Sequence, residues 1–121
     1  MNSKTILVID DEVNFGKLIK MNIELSSEYH CMLATNGQEG LELIKRQKPD
    51  LVLLDIMMPG INGFETLRRI KSIDAELPVA MLTAVWKEKE AQRCLGAGAY
   101  EYLTKPVDFD YLKTALLVKL L

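Results

Sequence analysis

Four short stretches carry the residues that could do chemistry. Asp10-Asp11-Glu12 sets three carboxyl groups in a row directly after an apolar run at 6–9. Asp55 follows a second apolar run at 51–54 and precedes Ile56-Met57-Met58-Pro59-Gly60. Thr83-Ala84 follows a third run at 79–82, and Thr104-Lys105-Pro106 follows Tyr102-Leu103. Clustered carboxylates raise one another's pKa unless a cation offsets their charge. A hard divalent ion such as Mg²⁺ does this while keeping room for waters and phosphate oxygens. Acidic ligands, a fixed ammonium and a hydroxyl together suit phosphoryl transfer, where positioning and charge stabilisation dominate. An Asp carboxylate can itself be the nucleophile, forming an acyl phosphate.

Each stretch also has a plainer explanation. Asp10 and Asp11 can cap a helix, Asp55 can belong to a turn, Thr83 can simply end a strand, and Lys105 can be a solvated loop lysine. Chance explains poorly their joint placement at the ends of four apolar runs.

The elements that must bring them together follow from periodicity. Near-continuous apolar runs at 6–9, 51–54 and 79–82 read as strands covered on both faces, with 31–34 and 100–103 as outer strands. Between them, Phe15, Leu18, Ile19 and Ile23 share one helical face. Asn36 with Glu39, and Asn62 with Glu65, have the spacing of helix starts. Ala91, Cys94 and Leu95 mark a fourth helix ending near Gly96 and Gly98. Leu112, Ala115 and Leu116 mark a fifth, with Asp108 as its N-cap. Strand and helix alternate five times, which implies an α/β fold: one doubly wound parallel sheet with right-handed crossovers. The common five-strand order is 2-1-3-4-5, and its ligands sit at the carboxyl ends of strands 1 and 3. Asp10, Asp11, Asp55, Thr83 and Lys105 would then converge.

Composition bounds the rest. The 121 residues suit one domain spanning 1–121, and 49% hydrophobic content supplies its core. With 15 basic and 17 acidic residues, the chain has no electrostatic footprint for direct nucleic-acid or membrane-surface binding. No apolar run reaches membrane-spanning length and no cleavage pattern follows Met1, so a cytoplasmic chain is expected. Cys31 and Cys94 read as reduced, partly buried thiols, and His30 has no second candidate ligand nearby. Trp86 is either core packing or an exposed anchor for a partner.

The ordered series Asp10-Asp11-Glu12, Asp55-Ile56-Met57-Met58-Pro59-Gly60 with Asn62-Gly63, Leu82-Thr83-Ala84 and Tyr102-Leu103-Thr104-Lys105-Pro106 closely resembles the receiver domain of two-component response regulators. The likeness runs from Lys4 into the last helix. It implies the flavodoxin-like receiver fold and a switch rather than an enzyme acting on other molecules. Asp55 corresponds to the phosphoacceptor, supplied by a sensor histidine kinase or a histidine phosphotransfer protein. Asp10, Asp11, Asp55 and the Met57 backbone carbonyl correspond to the ligands of Mg²⁺, with Mn²⁺ as its substitute. Lys105, Thr83 and the Ala84 backbone amide correspond to the phosphoryl-binding groups. Thr83 and Tyr102 correspond to the switch pair, and the Lys105–Pro106 bond to a cis peptide. Met57 and Val85 stand where the family flanks the attacking water; both are apolar, so slow hydrolysis of the phosphoryl group is expected. Asn62 replaces a frequent aspartate, which helix capping tolerates.

The output implied is an attached domain or a downstream protein addressed through the helix 4–strand 5–helix 5 face, with a homodimer through that face as a further option. The final apolar helix suggests a module of a longer regulator, with a stand-alone protein as the alternative. Alternatives are a degenerate receiver that binds partners without phosphorylation and an aspartate-nucleophile phosphohydrolase. The latter would carry its acid-base Asp two residues after the nucleophile, where this chain has Met57. A flavin carrier would need a hydroxyl- and Gly-rich phosphate loop where Asp10-Asp11-Glu12 stands.

Overall fold

In this computed structural model, residues 3–58, 60–84 and 86–120 are described, apart from the side chains of Leu116 and Leu117. Five strands alternate with five helices: β1 (Lys4–Ile9), α1 (Val13–Ile23), β2 (Tyr29–Ala34), α2 (Gly37–Arg46), β3 (Leu51–Asp55), α3 (Gly63–Ile73), β4 (Val79–Thr83), α4 (Glu88–Gly96), β5 (Glu101–Thr104) and α5 (Phe109–Leu120). All pairings are parallel, and the sheet order is β2-β1-β3-β4-β5, as expected from the alternation.

Side chains alternate across a strand, so a continuous apolar run serves two cores. Leu7, Ile9, Leu54 and Met81 pack with Leu41, Ile44, Leu67 and Ile70 of α2 and α3, and with Ala91 and Cys94 of α4. Ile6, Val8, Leu53 and Leu82 pack on the opposite face with Ile19 and Ile23 of α1 and Leu112 of α5. Each fully buried Leu or Ile contributes about 1.5–3 kcal/mol.

Helix starts follow the sequence signals. Asn36 and Asn62 accept from the amides of Glu39 and Glu65 at 2.8 and 2.9 Å. Asp108 Oδ1 accepts from Asp110 and Tyr111 amides, opening α5. Two expected core residues lie outward, Leu18 at 44% and Leu95 at 46% exposure. The expected Ile19 and Ile23 on α1 and Ala91 and Cys94 on α4 are buried, and Gly16 joins them, so the expected face holds apart from Leu18 and Leu95. β5 begins one residue later than its apolar run, at Glu101, although Tyr100 N already bonds Val79 O at the sheet margin. Among the described residues, no helix is long and apolar enough to cross a membrane.

Candidate functional site

Strand register assembles the site. Ile9 pairs with Leu54, so the next residues, Asp10 and Asp55, emerge side by side. Asp55 in turn pairs with Leu82, which puts Thr83 one step further along the same end of the sheet. Thr83 pairs with Thr104, so Lys105 leaves β5 at that end too.

The entry of α3 fixes the back of Asp55. Gly63 N donates to Ile56 O at 2.9 Å. A Cβ at Gly63 would collide with the Asp55 carbonyl oxygen and lie 2.5 Å from Ile56 Cα, so only glycine permits this approach. Sequence reading used Gly63 as part of a motif and missed this packing role; its place one residue after a helix cap was the available signal.

Asp10, Asp11 and Asp55 each present a carboxylate oxygen, and the three oxygens lie within 4.8 Å of one another. Asp10 and Asp55 are buried, whereas Asp11 is exposed. Asp10 does not cap α1, for its Oδ1 accepts from Glu12 N, and the first residues of α1 have no side-chain cap. Lys105 Nζ lies 2.8 Å from Asp10 Oδ2, 2.6 Å from Glu12 Oε1 and 4.0 Å from Asp55 Oδ2. The Asp10 contact is an ion pair outside hydrogen-bond geometry, which leaves a buried oxygen unsatisfied. Lys105 also sits 4.2 Å above the Phe15 ring centroid. Glu12 and Phe15 were thus missed as neighbours of the ammonium. Phe15 reads as core from its helical spacing, and nothing local to it signals Lys105.

Electrostatics follow from this crowding. Burial first, then the Asp10 charge, pushes Asp55 up to about 7, against the pull of Lys105 and of the Met57 N–H. That amide donates to Asp55 Oδ1 at 3.3 Å. Burial works against the Lys105 charge, yet its carboxylate neighbours outweigh burial and hold it above its ordinary value. Two buried carboxylates, one exposed carboxylate and an unsatisfied Asp10 oxygen are a donor set that fits a hard divalent cation.

The remaining expected residues surround this cluster. Thr83 is buried and so is Tyr102, only 6% exposed; burial raises the pKa of the Tyr102 phenol against the opposing pull of the Thr83 hydroxyl, and the two side chains line one cavity. Ala84 is exposed and borders the cavities on both sides of the site. Met57 is exposed to 70%, beside Asp55. The Lys105–Pro106 peptide is cis. Val85 lies outside the described residues. Trp86 is exposed and packs edge-on against Tyr102, with centroids 5.2 Å apart.

Residues 6–117 match the family profile described as the response regulator receiver domain. Over 108 residues the chain is 41% identical to the phosphate regulon transcriptional regulatory protein PhoB of Pseudomonas aeruginosa, covering 88% of this chain and 47% of that protein. Over 117 residues it is 37% identical to sporulation initiation phosphotransferase F of Bacillus subtilis, covering 96% of this chain and 92% of that protein. Among solved structures, a response regulator receiver domain protein from Methanospirillum hungatei superposes with a TM-score of 0.93 at 28% identity, covering 98% of this chain and 94% of that one. The chain therefore spans about half the length of the PhoB relative and nearly all of the sporulation protein.

Proposed function

The chain belongs to the response regulator receiver domain family, and on that premise we propose that residues 1–121 form one receiver module whose phosphoacceptor is Asp55. The observation that carries this is the burial of Asp55 against Asp10 with Lys105 Nζ 4.0 Å away, a nucleophile held between a metal-binding face and a cation. Asp10, Asp11, Asp55 and the Met57 carbonyl would hold Mg²⁺, or Mn²⁺ in its place. The ion supplies charge neutralisation for the incoming phosphoryl group.

The carboxylate oxygen of Asp55 attacks phosphorus, and the bond from phosphorus to its donor breaks, so the donor leaves with its electron pair. The donor is a phosphohistidine on a sensor kinase or phosphotransfer protein. Lys105 and the Ala84 amide hold the phosphoryl oxygens. Thr83 turns its hydroxyl to the same oxygens and gives up Tyr102. A phosphoryl group adds nearly two negative charges and strong acceptors, and it shifts the domain only through contacts that differ between two states. Here those contacts are Thr83 and Tyr102, and their exchange remodels the α4–β5–α5 face, where an attached domain, a downstream protein or a second copy is read out. The module works in the cytoplasm as a signalling element, and its own phosphoryl uptake and loss are its only chemistry.

Peptide mapping after incubation with acetyl phosphate and Mg²⁺ tests the assignment. A single phosphoryl group should map to Asp55; one mapped to another residue would contradict it.

A further inference from the structure

Beside the carboxylate cluster, between α3 and α4, lies a cavity of about 410 Å³. Opposite Phe64 of α3, Lys87 at the start of α4 and Glu90 and Arg93 within it line this space. Ile56, Met57, Phe64 and Tyr102 give the cavity apolar walls, and its size is that of a small-ligand site. Its rim is charged. Arg93 lies over the Phe64 ring at 3.7 Å and 3.9 Å from Glu90. Lys87 is exposed, and its side chain has no hydrogen bond or ion pair among the described residues.

We propose that this cavity binds a small aromatic carboxylate, with the ring against Phe64 and Tyr102 and the carboxylate on Lys87, and that occupancy is coupled to phosphorylation through Thr83. Two rim cations against one rim anion favour a monoanion, and ring-lined walls favour a flat apolar body. A purely ionic ligand would leave the walls wet, and a neutral one would leave Lys87 unpaired. Thr83 lines the same cavity as Tyr102. A ligand that fits this arrangement opposes the movement of Thr83 toward Asp55, and phosphorylation must weaken the ligand by the same factor. The coupling rests on Asp55 being the acceptor; the cavity itself does not.

The test is titration of 2-naphthoate into the full ¹⁵N-labelled chain, with phosphoryl uptake scored by intact mass on the same preparations. Saturable shifts should centre on Ile56, Phe64, Lys87 and Tyr102. Lys87→Gln should weaken binding about tenfold and leave uptake from acetyl phosphate unchanged, and neutral 2-naphthalenemethanol should bind the wild type about tenfold more weakly than the carboxylate. Beryllofluoride with Mg²⁺, a phosphoryl mimic, should weaken naphthoate at least about fivefold in wild type and not in Asp55→Asn. Unsaturable shifts, or an affinity indifferent both to Lys87→Gln and to the ligand's charge, would overturn the site. Saturable, Lys87-dependent binding that ignores beryllofluoride would overturn the coupling. Absent phosphoryl uptake would count against the acceptor and leave the naphthoate result standing.

Discussion

Lys105 Nζ lies 2.8 Å from Asp10 Oδ2 although the strands that lead to them, β5 and β1, are separated by β3 and β4. Lys105 therefore serves first as counterion to Asp10 and Glu12, with Asp55 its more distant neighbour at 4.0 Å. On the proposed reading, a divalent ion held by Asp10 would release the ammonium toward a phosphoryl group on Asp55.

Stability of the metal-free protein should carry the mark of Asp55. Its folded-state pKa of about 7 stands above the ordinary 3.8, so the folded chain binds more protons than the unfolded chain between those values. Folding stability from this group is present below about pH 4 and is lost as pH rises through about 7. Urea unfolding in EDTA should show Asp55→Asn gaining on wild type across that window, to about 2–4 kcal/mol at pH 7.5. A gap that stays constant from pH 4 to 8 would contradict the raised pKa.

Mg²⁺ should reverse that deficit. At pH 7.5 and about 100 times its Kd, the ion adds about 2.7 kcal/mol to unfolding. Asp11→Asn separates the metal from the fold, because Asp11 is exposed while Asp10 is buried against Lys105. Unfolding curves of this variant should match wild type in EDTA and lose most of the gain in Mg²⁺. An undiminished gain would remove Asp11 from the ligand set.

Met57 should govern how long the phosphoryl group lasts. Its side chain is exposed beside Asp55 and has no group that can orient water. Met57→Asn supplies such a group and should speed hydrolysis of the aspartyl phosphate about tenfold. Decay is followed by intact mass after removal of the donor, and slower decay in the variant would refute the role.

Gly63→Ala should cost about 1–3 kcal/mol, because a methyl group there meets the backbone of Asp55 and Ile56, which cannot yield as a side-chain tip can. Chemical denaturation measures the loss. A neutral substitution would mean that α3 can stand further from β3 than it does.

Much of this arrangement was legible in the chain because parallel strands buried on both faces leave an unbroken apolar signal. The runs ending before Asp10 and Asp55 and at Leu82 therefore predict both the order of the sheet and the convergence at its end. The caps at Asn36 and Asn62 were legible because they are local. Long-range partners were not. Glu12 reads as one more acid in a row, and only the fold brings Lys105 to it, 93 residues away in sequence. Helix orientation was partly hidden as well: Ala91 and Cys94 are buried as their spacing implies, but α1 turns Leu18 and α4 turns Leu95 outward, and Gly16 takes a buried position that no apolar side chain signalled. Trp86 had two readings in sequence, and its exposure against Tyr102 favours the anchor over the core.

The most direct test of the phosphoacceptor assignment is phosphoryl incorporation from acetyl phosphate, followed by intact mass with Mg²⁺ and with EDTA, in wild type and Asp55→Asn. The expected result is one phosphoryl group gained by wild type only in Mg²⁺, and none by the variant. Equal incorporation in the variant, or incorporation by wild type that is indifferent to EDTA, would contradict Asp55 as a metal-assisted acceptor.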